Sequence, residues 1–228
     1  MTAYIWIAFA GGMALSLLCR MFIARTFAAY RVTVPHARRK AGHAAQAMLR
    51  GSGVALCIRD GAREGYDAKA RALTLSTQTA QSPSYTALCM ALHECGHALQ
   101  RESAPKLAGA LHAAYRLLVR LTILGTLCIL VGLIGGWDFV WQAGVGTYLA
   151  LLLFNLFGLV REGAASRRAR AFAFENGLLD AREMVPMIKL LWAANLCGVA
   201  ATYTAALQLV KGLLALLVGR MQPREAVR

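Results

Sequence analysis

Acidic side chains are scarce in this chain: 11 Asp and Glu stand against 25 Lys and Arg among 228 residues, a formal net charge of +14. Charge of either sign is thin, at 16% of residues, while 58% are apolar. That combination excludes intrinsic disorder, which joins high charge to low hydrophobicity. Paired cysteines are lacking as well. Cys19, Cys57, Cys89, Cys95, Cys128 and Cys197 are scattered without Cys-x-x-Cys spacing, so they read as small buried side chains in a reducing setting and not as a disulfide framework. Aromatic residues are not interleaved with the basic ones, and no nucleic-acid-binding module is recognisable, so no nucleic-acid partner is expected. Internal repeats are absent too.

What the chain does have is segregation. Met1–Cys19, Phe139–Val160 and Leu190–Val210 carry no charge, and Leu117–Gly136 carries only Arg120. Each is long enough for a bilayer-crossing helix, which takes about 20 residues. The first run has no positive charge ahead of it and is followed by Arg20, Arg25 and Arg31. It therefore reads as a retained anchor, unlike a cleaved secretory signal. Ala24–Arg116 holds 13 Lys and Arg, Arg161–Lys189 holds 6, and the turn around Gly135–Gln142 holds none. Basic loops stay cytoplasmic. The expected molecule is a multi-pass protein of the inner or plasma membrane, with its N-terminus outside and the two basic pieces inside, against anionic headgroups of the lipid bilayer.

Five stretches follow: an anchor over 1–23, a cytoplasmic domain over 24–116, a transmembrane hairpin over 117–160, a cytoplasmic helix over 161–189, and a last span with its tail over 190–228. The expected fold is mainly α, with about four transmembrane helices and a small cytoplasmic α+β domain. Within that domain His36–Arg50 reads as a helix stopped by Gly51 and Gly53. Val54–Arg59 and Ala72–Ser76 read as short strands of a β-hairpin across a polar connection. Ser82, Pro83 and Ser84 open a helix that runs to about Arg101, before the breaker Pro105.

On that helix stands His93-Glu94-Cys95-Gly96-His97. Histidines at i and i+4 share one helical face with Cβ atoms about 5–6 Å apart, within reach of one zinc ion. Glu94 stands beside the pair without belonging to it, the place of a general base in the HExxH arrangement. Gly96 leaves room for another element to pack close by. A catalytic zinc takes a third protein ligand. Position 103 is a serine, which excludes the HExxHxxGxxH spacing. His36, His43 and His112 are remaining nitrogen donors but read as surface or interface residues. Glu162 is the stronger candidate: it follows an apolar run, its neighbours Gly163, Ala164, Ala165 and Ser166 are small, and the topology returns it to the side that holds His93.

With Tyr66-Asp67, the strand Leu73–Ser76, His93–Gln100 and Glu162–Ser166 in this order, the chain resembles the bacterial membrane-bound neutral zinc metallopeptidases of the YugP-like type, and more distantly the HExxH-plus-glutamate group. The resemblance implies a zincin-like domain and a peptidase acting on protein or peptide substrates. It also implies one Zn2+ per chain, with His93, His97 and Glu162 as ligands and Glu94 as base. Three positions depart from the family pattern. Ala68 stands where it has proline after Tyr-Asp, and Gly163-Ala164 replaces Phe-Asn after the glutamate, leaving Ser166 to orient a ligand. Tyr66 and Tyr85 are candidates by type for stabilising a transition state. The strand residues Leu73, Thr74 and Leu75 are candidates to bind an extended substrate by edge addition. The alternative to an endopeptidase is a degenerate zinc-binding membrane scaffold or regulator.

Overall fold

In the computed structural model, which describes residues 2–61, 63–196 and 199, the chain is mainly helical with one small three-stranded sheet. It divides into two compact units. One is built from residues 2–17 and 110–158, the other from residues 18–109 and 159–196. Helix α1, Thr2–Arg31, contributes residues to both.

The second unit carries the sheet. Helix α2 spans Ala41–Leu49, starting later than the expected His36. Arg38 takes a left-handed backbone, φ 45°, and Lys40 is extended, so residues 36–40 cannot join the helix. Its far end is as the glycines require, with Gly51 at φ 82° and Gly53 at φ 73°. Strands β1 (Ala55–Arg59), β2 (Gly65–Asp67) and β3 (Ala72–Ser76) lie in the order β1-β3-β2. The hairpin expected between β1 and β3 does not form: they run parallel, with Ala55 opposite Ala72 and Arg59 opposite Ser76. The connection between them supplies β2, which pairs antiparallel with the other edge of β3. Asp67 drives that reversal, its Oδ1 accepting the N–H groups of Lys69 at 2.8 Å and Ala70 at 3.3 Å. With β2 occupying one edge of β3, β1 is left the other, in the same direction as β3.

A short helix α3, Thr77–Gln81, follows at once, capped by Ser76. Helix α4, Tyr85–Ser103, is capped by Ser84, whose Oγ accepts from the Ala87 N–H at 3.2 Å. Leu73 and Leu75 of β3 are fully buried with Leu88, Leu92 and Cys95 of α4 and with Ala41 and Ala45 of α2. Each leucine so buried contributes about 1.5–3 kcal/mol. Helix α7, Met184–Leu196, adds Met187, Leu190 and Leu191 to this core.

The first unit holds, besides residues 2–17, an antiparallel pair of helices whose outer ends, residues 105–109 and 159–175, belong to the second unit. Helices α5 (Pro105–Gly135) and α6 (Asp138–Glu175) turn at Gly136 and Trp137, and their ladder runs from Gly132 beside Trp141 to Tyr115 stacked on Phe154 at 5.6 Å. Among the described residues, two helices are long and apolar enough to cross a membrane, Pro105–Gly132 and Asp138–Glu175, where four spans were expected. The N-terminal run falls on α1, and the side chains of residues 1–13 lie outside the described set. The expected last span opens inside α7, whose Leu190, Leu191 and Ala193 belong to the second unit's buried interior; from residue 200 onward it lies outside the described residues. Apolar residues at Met187, Leu190 and Leu191 make a core stripe at i, i+3 and i+4, which composition alone does not separate from a membrane span.

Candidate metal centre

Two helices of the second unit build the site. On α4, His93 and His97 project from one face with ring centroids 4.6 Å apart and planes at 85°. Their Nε2 atoms are 3.1 Å apart, and Glu162 Oε2 from α6 lies 3.2 Å from each. Three near-equal separations are not a hydrogen-bonded triad, because each Nε2 carries one in-plane proton or one lone pair and cannot serve two partners at once. They match the edges of a coordination sphere: four tetrahedral donors about 2.0–2.1 Å from zinc stand about 3.3 Å from one another. The donor set fits a single divalent cation. Exposure of the side chains is 11% for His93, 17% for His97 and 39% for Glu162, so the cluster is embedded yet reachable from Glu162's side.

The helices meet because their side chains are small. A Cβ on Gly96 would lie 2.7 Å from the backbone oxygen of Ala165, so the two backbones touch there. Ala165, Ala169 and Ala173, every fourth residue, are fully buried on the same α6 face. One turn from Glu162, the buried Ser166 places Oγ 3.4 Å from His93 Nδ1. His93 therefore presents Nε2 to the cluster while Nδ1 has a partner that fixes the ring, the usual support of a metal-ligating histidine. At the other end of the contact, Gln100 Nε2 donates to the Arg161 carbonyl at 2.9 Å. Glu94 is half-buried next to His93 and has no hydrogen-bond partner among the described residues.

The remaining sequence candidates lie elsewhere. Tyr66 donates its hydroxyl to Glu102, which also binds Arg71, and its ring faces the Arg101 guanidinium at 5.8 Å. Burial, then Glu102, pushes the Tyr66 phenol up to about 12. Tyr85 donates to Glu183 at 3.2 Å and is raised to about 12 by burial and that carboxylate. Neither phenol hydrogen-bonds a member of the donor cluster. The strand assignment is corrected: β3 has neighbours on both sides, and Leu73 and Leu75 are buried, so the sheet's edges are β1 and β2.

Sequence reasoning included Gln100 as the end of the His93–Gln100 stretch but gave it no role, although it is readable as the third member of an i, i+4, i+7 row with His93 and His97. Glu183 accepts from His36 N–H at 2.5 Å and Asp180 N–H at 3.1 Å while Asp180 accepts from Glu183 N–H at 2.8 Å, a reciprocal cap legible in the spacing Asp180-x-x-Glu183.

A family model described as "Putative neutral zinc metallopeptidase" matches residues 4–217. The chain belongs to this family. It is similar to the "Putative membrane protease YugP" of Bacillus subtilis (strain 168), 28% identical over 163 residues that make up 72% of each chain. No solved structure matches. For a member of this zinc metallopeptidase family, two imidazoles and one carboxylate are a donor set that zinc accepts, with a fourth position left over.

Proposed function

We propose that the chain is an integral-membrane zinc endopeptidase whose centre is His93, His97 and Glu162. The observation that carries this reading is the donor triangle at 3.1–3.2 Å, drawn from two chain segments in a member of a zinc peptidase family. His93 and His97 would hold one Zn2+ through Nε2, and Glu162 through Oε2. So bound, it would polarise a peptide carbonyl and make water acidic enough to ionise near neutrality. Glu94 is the general base: its carboxylate takes a proton from the attacking water and later delivers it to the leaving amine nitrogen. Ser166 keeps the His93 ring in place. The basic pieces 24–116 and 161–189 support a cytoplasmic location for the site, with the N-terminus outside. Protein or peptide segments at that membrane face are the substrates.

Metal analysis of the purified protein beside His93→Ala and Glu162→Ala tests the ligands. About one zinc per wild-type chain and none in either variant is the expected result, together with cleavage of an unfolded substrate such as casein. Zinc retained by Glu162→Ala would remove Glu162 from the set; zinc without hydrolysis would favour the scaffold.

A further inference from the structure

The donor triangle depends on where α6 stops along α4. A slip of one residue would move Glu162 by about 1.5 Å along the helix and 100° around it, out of reach of both imidazoles. The stripe of Ala165, Ala169 and Ala173 is smooth and does not set that register by itself, and Ser166 meets His93 only at 3.4 Å. The strongest polar tie beside the triangle is Gln100, whose Nε2 donates at 2.9 Å to the carbonyl of Arg161, the peptide just ahead of Glu162. Gln100 lies on the same face of α4, one turn beyond His97 and two beyond His93.

The orientation of this amide is forced, because a backbone carbonyl only accepts. Oε1 must turn the other way, and there it is buried with no hydrogen-bond partner among the described residues. A buried acceptor left unpaired destabilises a fold, and an apolar side chain of equal length would fill the space without that penalty. The amide makes sense for what its N–H does.

We propose that Gln100 is the positioning residue of the metal centre, its N–H locking the Arg161 peptide so that the Glu162 carboxylate reaches both histidines. The proposal rests on the reading of His93, His97 and Glu162 as ligands. Full-length protein in detergent, stripped of metal, would be titrated with Zn2+ against a chromophoric chelator and with Co2+ for its visible absorption. Wild type must first bind one equivalent; failure there overturns the ligand assignment and this proposal with it. Gln100→Met keeps length and volume and removes the donor. Its metal-free melting temperature should equal or exceed wild type, while Zn2+ binding weakens 10–100-fold and the Co2+ spectrum changes. A purely structural glutamine would lower the melting temperature and leave both metal readouts alone. Affinity within twofold of wild type in folded Gln100→Met overturns the positioning role and leaves the ligands standing. Should that variant not fold, Gln100→Leu takes its place with the same expected and contrary results.

Discussion

In the α5–α6 hairpin, Gly125, Gly132 and Gly144 let two helices touch while Ile123 and Ile134 face outward, 71% and 87% exposed. In the second unit, Gly96 and Ala165 let α4 and α6 touch over a core of fully buried leucine and alanine, with a polar donor set at the contact. The residue type is shared and the use differs. In a hairpin that crosses a bilayer, as proposed here, helices gain nothing from hiding apolar surface from each other, so close backbone approach itself would supply their packing. The second unit is held by burial from water, and its close approach is free to serve geometry: it sets the reach of Glu162.

Chemistry should separate from packing altogether in Glu94→Gln, the largest expected effect. It should lower kcat/KM by about 10²- to 10⁴-fold with zinc content unchanged, and hydrolysis at the wild-type rate would remove Glu94 from its role. Next come two matched glycine changes. Gly96→Ala forces a methyl against the Ala165 backbone and should destabilise by about 1–3 kcal/mol while weakening Zn2+ binding. Gly144→Ala places its methyl 2.5 Å from the Gly125 oxygen and should loosen the hairpin with zinc affinity preserved. Equal effects of both on zinc would show that the two close approaches serve the same purpose. Ser84→Ala removes the α4 cap and should lower stability by about 1 kcal/mol in thermal unfolding. Smallest, and opposite in sign, is Gly163→Ala: the nearest atom, Arg167 Nη1, is 3.8 Å away, so added helix propensity should stabilise by about 0.5–1 kcal/mol. A loss there would show that α6 needs slack beside its ligand.

Local chemistry was legible in the sequence wherever one segment decides the outcome. A capping serine at the start of α4, the glycine stop after α2 and the shared face of His93 and His97 all follow from spacing along a single helix, although the cap is Ser84 and Pro83 precedes it where a place in the first helical turn was expected. Glu162 was legible for a different reason, because an acidic residue among Gly163, Ala164 and Ala165 marks a helix able to approach another. The β1–β3 pairing was not, since a parallel pair is settled by what β2 does on the far edge, and β2 is three residues long. The start of α2 turned on one left-handed residue, Arg38, with no glycine to announce it. Leu190 and Leu191 looked like the beginning of a span because hydrophobicity is the same whether lipid or a protein core surrounds it.

Glu162 stands 65 residues beyond His97, and the entire α5–α6 turn lies between them. With the proposed zinc in place, the ion is a removable cross-link that closes a long loop of chain. Loop-closure entropy grows only with the logarithm of loop length, and by the chain-entropy estimate for covalent staples a loop of this size corresponds to about 4 kcal/mol. A chelator would therefore do more than silence a peptidase: it would open a ring that spans the apolar hairpin, and the freed chain would regain conformations the closed ring forbids.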